Sequence, residues 1–162
     1  MTLMDNFSAT GVTVFVADSR QAKIFELSEP GALPRSLETI DNPFTARHDR
    51  DLGADAPGTV MARSGQHGSG AGMRRTALQP RRSHKQHAVS QFARQLADRV
   101  TTAANNHDGG GVILVAAPRF LAELRGHLPK STLQRVVREL PRDLVGLSAP
   151  ALQRRLAEAL RL

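Results

Sequence analysis

Between Arg63 and Lys85 the chain reads RSGQHGSGAGMRRTALQPRRSHK, the stretch where groups able to do chemistry are most concentrated. Gly65 and Gly70 have the separation of a phosphate-cradling loop, but Ala71 stands where that loop needs its lysine, and no strand leads directly in. Gly68, Gly70 and Gly72 alternate, and no helix opens behind them, so a dinucleotide fingerprint is not met either. Neither a nucleotide cofactor nor any other cofactor is expected. Ser64 and Ser69 flank His67, yet nothing supplies the strand, sharp turn and helix that hold a nucleophilic serine rigid. His84 and His87 lie one helical turn apart without an evident third ligand, which fits a surface pair better than a metal site. Upstream, HDRDLGAD (His48–Asp55) gathers Asp49, Asp51 and Asp55. A calcium loop counted from Asp49 requires glycine at its sixth place and glutamate at its twelfth, where the chain has Ala54 and Val60. An Asp-rich turn, its carboxylates paired with Arg47 and Arg50 or capping amides, is the better account. No metal is expected.

Charge is more telling than any motif. The 162 residues carry 22 basic and 15 acidic side chains, a formal +7. No acidic residue lies between Asp55 and Asp98, while Arg63, Arg74, Arg75, Arg81, Arg82, Lys85 and Arg94 do. The remainder is balanced, so the whole excess sits on the Gly-rich stretch and the start of the segment after it. Such a local field attracts phosphate or an acidic surface. Cysteine is absent, which excludes disulfides, thiolate metal sites and cysteine nucleophiles and accords with a reducing cytoplasm. The opening MTLMDNFSATG has neither a basic region nor a long apolar run, so no secretory signal is read there. No apolar run reaches the length of a membrane span, and membrane insertion is not expected.

The elements that would carry these groups follow from apolar patterning. Gly11–Ser19 (GVTVFVADS) reads as a strand, and RQAKIFELSE, with Ala22, Ile24 and Leu27 alternating, completes a hairpin. Arg35–Pro43 offers a third strand with Leu37 and Ile40. From Pro43 to Pro80 no apolar period survives, the mark of a functional or disordered segment. A helix is predicted from near Ser83 to about Asn105 on Val89, Phe92, Ala93, Leu96, Ala97 and Val100. Gly111–Ala117 is a central strand covered on both faces. PRFLAELRGHL is a helix with Pro118 in its first turn. LQRVVREL fits strand or helix equally, and the leucines at 152, 156 and 160 end the chain as a helix behind a serine cap. The length suits one domain: residues 1–10 as a flexible N-terminus and 11–162 as an α/β unit with a mixed sheet, holding a long basic Gly-rich loop at about 43–82.

Several segments together resemble the bacterial host attachment protein family, described as "protein required for attachment to host cells". They are VADSRQAKIFE (Val16–Glu26), NPFTARHDRDLGADAPG (Asn42–Gly58), HAVSQFARQLADRV (His87–Val100), ILVAAPRFLAELR (Ile113–Arg125) and DLVGLSAPAL (Asp143–Leu152). The pieces HDRDLG and APRFL are the most specific, and the resemblance marks His48, Asp49, Arg50 and Asp51 of the first and Arg119 of the second as motif residues. The family is similar in turn to the middle domain of archaeal and eukaryotic peptide-chain release factors, so the resemblance implies a ribonuclease H-like α/β fold. In those factors a loop ahead of the long helix carries Gly-Gly-Gln. Here Ser64-Gly65-Gln66 lies at the corresponding place, with serine for the first glycine. The expected function is therefore that of a cytoplasmic, non-enzymatic binding or regulatory protein. Its working surface would be the basic stretch 56–87 with the HDRDLG turn. Its partner would be RNA, ribosomal or transfer, held through phosphate by Arg63, Arg74, Arg75, Arg81, Arg82 and Lys85. Two alternatives stand beside it: a peptidyl-tRNA hydrolase-like rescue factor using Gln66 as its catalytic residue, and a regulator of attachment acting through a protein partner.

Overall fold

The computed structural model describes residues 11–29, 32–45, 79–106 and 111–160; the side chains of residues 79–83 stand outside that description. Strand β1 (Val12–Ala17) is built from valines and Phe15, and every residue in it is buried. A strand of β-branched and aromatic residues with no polar alternation must lie inside the sheet with both faces covered. It does. The sheet has five strands in the order β3-β2-β1-β4-β5, with β2 (Gln21–Leu27) and β3 (Arg35–Asp41) continuing from β1 as an antiparallel meander. On the other side of β1, β4 (Val112–Ala116) and β5 (Val136–Leu140) pair in parallel. Parallel neighbours cannot be joined by a hairpin, so each is reached through helix. Helix α1 (Gln79–Asn106) precedes β4; α2 (Pro118–His127) and the single turn α3 (Lys130–Leu133) precede β5; α4 (Ala149–Leu160) closes the described chain. The chain is a mixed α/β unit.

Strand alternation divides the core in two. Phe15, Ala17, Ala22, Ile24, Leu114 and Ala116 face α1 and α2. Val12, Val14, Val16, Phe25, Leu27, Ile113 and Val115 face α4, which contributes Leu152, Leu156 and Leu160 at one-turn spacing. On α1 the predicted apolar face is the buried one: Phe92, Ala93, Leu96, Ala97 and Val100 all pack inward, joined by Ala104. The helix begins four residues before Ser83, at Gln79. No apolar residue marks those extra positions, so periodicity could not show them, and Pro80 is tolerated because first-turn amides need no intrahelical acceptor. Pro118 opens α2 as expected. The ambiguous LQRVVREL resolves into both: Leu133 ends α3, Gln134 and Arg135 turn, and Val136 begins β5.

The third strand departs from its pattern. Ile40 packs against the core, but Leu37 is 48% exposed. The β2–β3 register steps from Ile24↔Glu38 to Phe25↔Ser36, leaving Leu37 as an extra, unpaired residue. Such a bulge kinks an edge strand and blunts it against pairing with another sheet.

Gly11, just before β1, has φ of 79°, and a Cβ there would lie 2.9 Å from the backbone oxygen of Leu27. Both the dihedral and the close approach demand glycine. Gly11→Ala is expected to cost about 1–3 kcal/mol, read as a lower urea midpoint at unchanged slope.

Candidate functional site

Because β1, β4 and β5 run in parallel, their carboxyl ends open on the same side of the sheet. The chain leaves β1 in one direction for β2 and β3 and returns on its other flank as β4. The crevice outside that reversal is where open α/β sheets bind ligands. A cleft of about 800 Å³ lies there. Its floor comes from the residues that follow the strands: Asp18 and Ser19 after β1, Ala117 after β4, and Asp143 after β5. One wall is the Lys85–Ser90 stretch of α1; the other is the first turns of α2, with Arg119, Phe120 and Glu123.

Local structure explains how each side chain is held. Asp18 turns β1 into β2: its Oδ1 accepts from the backbone N–H of Arg20 at 2.7 Å and of Gln21 at 2.9 Å. That is an Asx-type turn, and it commits one carboxylate oxygen to the backbone. Asp143 lies in the connection from β5 to α4. Lys23 braces that connection, donating Nζ to the carbonyls of Val145 (2.8 Å) and Leu147 (3.2 Å). Under the α2 wall the Phe92 and Phe120 rings pack with centroids 5.9 Å apart.

The cleft lining carries both signs, two cations and three carboxylates. Two cations, Lys85 from α1 and Arg119 from α2, reach it from helices. Elsewhere four arginines are ion-paired, Arg35 with Glu26, Arg99 with Glu38, Arg125 with Glu139 and Arg155 with Glu158, while Arg20, Arg94, Arg142 and Arg154 are exposed without such a partner among the described residues. Lys85 and Arg119 have no ion-pair partner among the described residues, and both are exposed. The three carboxylates in the lining differ: Asp18 serves its turn, Glu123 approaches His127 at 3.4 Å, and Asp143 is exposed on the floor.

Ser90 Oγ lies 3.2 Å from His127 Nε2, a distance at which a histidine could activate a hydroxyl. The Glu123 carboxylate, however, meets that same Nε2. A carboxylate that orients a catalytic imidazole binds its other nitrogen, so the trio reads as a polar tie between α1 and α2. Among the described residues no group of three or more His, Cys, Asp or Glu could hold a metal. Nor is any helix among them long and apolar enough to cross a membrane.

Of the residues singled out in the sequence, the structure brings Lys85, His87 and Arg119 together in one cleft. Arg81 and Arg82 lie on α1 just ahead of Lys85, with their side chains outside the described set. His48, Asp49, Arg50, Asp51, Arg63, Gln66, Arg74 and Arg75 lie outside the described residues. No sequence motif marks Asp18, Ser19, Ser90, Glu123 or Asp143 as cleft residues. A signal exists for three of them, since Asp18, Ser19 and Asp143 follow strands, and loops after parallel strands are where such sheets place their sites.

Fold and cleft together define a mixed α/β domain with a crevice at the carboxyl edge of its sheet, floored by short turns and walled by two helices. The family model described as "Protein required for attachment to host cells" matches residues 13–156, which takes in every residue lining the cleft. The chain belongs to that family. No curated protein matches it.

Proposed function

We propose that the chain is a non-enzymatic binding protein of the host attachment family that contacts RNA, on the ribosome or as transfer RNA, through this cleft and the basic stretch leading into α1. The observation that carries the reading is the convergence of Lys85 and Arg119, two cations without ion-pair partners among the described residues, on one crevice from separate helices. The sequence around α1 strengthens it. The first turn of α1 holds no acidic residue, while Arg81, Arg82 and Lys85 crowd its start. A helix N-terminus is the positive end of the dipole, so cations placed there are disfavoured unless an anion accompanies them. Phosphate supplies that anion. The three-strand meander followed by two parallel strands, each entered through helix, supports a ribonuclease H-like fold similar to the release-factor middle domain. A ribosomal partner would place the protein in the cytoplasm.

The test is co-sedimentation of the whole chain with purified ribosomes across a salt series. Pelleting at near-physiological salt that fades as salt rises is expected, since phosphate contacts are lost as counterions compete. No pelleting even at low salt would overturn the reading, and the search would turn to a protein partner.

A further inference from the structure

Asn42 is 3% exposed, one of few polar side chains buried in the described chain, and every hydrogen-bonding group it owns is in use. Its Nδ2 donates to the carbonyl of Ser19 at 2.8 Å and, at 3.5 Å, to that of Ala88. Its Oδ1 accepts from the backbone N–H of Phe44 at 2.9 Å. Its own N–H donates to the Arg20 carbonyl at 2.7 Å, and its carbonyl accepts the Thr45 hydroxyl at 2.9 Å. Three pieces of chain meet on this one carboxamide. They are the β1–β2 turn that supplies Asp18 and Ser19 to the cleft floor, the middle of the Lys85–Ser90 wall, and the helical turn at 43–45 that follows β3.

We infer that Asn42 is the positioning residue of the cleft, the group that sets the distance between its floor at Ser19 and its α1 wall. This rests on the cleft being the RNA-contacting site proposed above. The chemistry singles out asparagine. The position needs two N–H donors on one atom and an acceptor on the other, at a reach of one methylene. Aspartate keeps the acceptor for Phe44 but has no donors, and it turns an anion toward two carbonyl oxygens in a site closed to water. Serine still caps Phe44 but is too short to span to Ala88. Val89 and Phe92 anchor the far end of the wall in the core, whereas Lys85, Gln86 and His87 before them are exposed, and at Ala88 the carboxamide is the tie between wall and floor.

The experiment compares Asn42→Asp with wild type by amide chemical shifts and by affinity for ribosomal RNA, at a temperature where both are folded. Leu160→Ala, which loosens the opposite face of the sheet, is the control for lost stability. The expected result is shift changes at 18–20 and 85–90 as well as 42–45, with about a tenfold loss of RNA affinity that Leu160→Ala does not share. Shifts confined to 42–45, or affinity equal to that of wild type, would overturn the inference. If Asn42→Asp does not fold, Asn42→Ser, uncharged and still capping, carries the same comparison. Should wild type itself not bind RNA, the functional proposal falls, and the shifts alone decide whether Asn42 positions the cleft.

Discussion

Replacing Arg63, Arg74, Arg75, Arg81, Arg82 and Lys85 together with glutamine is expected to remove nearly all affinity for RNA. The reason is counterion release. Each phosphate neutralised by a lysine or arginine contributes about 0.7 to the slope of log affinity against log salt on a single strand, so losing six contacts flattens that slope by about four. No other term replaces them, because no aromatic residue lies between Phe44 and Phe92 and base stacking from this stretch is unavailable. The smaller change Lys85→Gln with Arg119→Gln isolates the cleft and should flatten the slope by roughly 1.4. Arg154→Gln, on the exposed face of α4, should leave it unchanged. Filter binding or sedimentation at several salt concentrations reads all three. A misfolded variant loses affinity at every salt, whereas lost phosphate contacts change the slope itself. Full-strength binding by the six-residue variant at low salt would remove the basic stretch from consideration.

How much of this is legible in the sequence differs between framework and site. Strands β1 and β4 are legible because a strand covered on both faces needs a nearly continuous apolar run, and VILVA and VTVFVA, broken only by Thr13, are such runs. Helix α4 is legible because leucines at 152, 156 and 160 form an unbroken apolar stripe only on a helix, whereas a strand would place Arg154 and Glu158 on the same face, and all three leucines are buried. The start of α1 is not, since Gln79–Arg82 carry no apolar residue and their helical state follows from continuity with the packed turns beyond. Leu37 misleads, because an apolar residue in a strand pattern implies a buried face, whereas a bulge in the β2–β3 register sets it outside. The cleft shows the deeper limit. Lys85 and Arg119 are each visible as charges, but 34 positions separate them in the chain. Only the parallel pairing of β1 with β4, and the packing of α1 beside α2 over it, brings them to one crevice. Asn42 is visible only as part of the NPF segment, and its role depends on Ser19 and Ala88, which no local pattern links to it.

Phe92→Ala should be the most damaging single core substitution near the cleft, at about 3–5 kcal/mol. Phe92 is fully buried at 0% exposure, its ring packs on Phe120 at 5.9 Å with planes inclined by 31°, and both belong to the core under α1 and α2. Truncation loses the transfer energy of the ring and leaves a void, since neighbouring side chains are fixed by the sheet and collapse only in part. Domains of this size are stable by roughly 5–15 kcal/mol, so the variant would keep a fold with a much reduced urea midpoint. Phe92→Leu keeps most of the volume and should cost under about 1.5 kcal/mol. The functional consequence is specific to this face. Phe120 is a wall of the cleft as well as the partner of Phe92, so a void behind it lets α2, and with it Arg119, settle toward the sheet. Leu156→Ala, of comparable cost on the α4 side, leaves that wall in place. Among folded molecules, Phe92→Ala should therefore weaken RNA binding while Leu156→Ala does not. Equal affinities for the two, at matched stability, would show that the α2 wall carries no part of the contact.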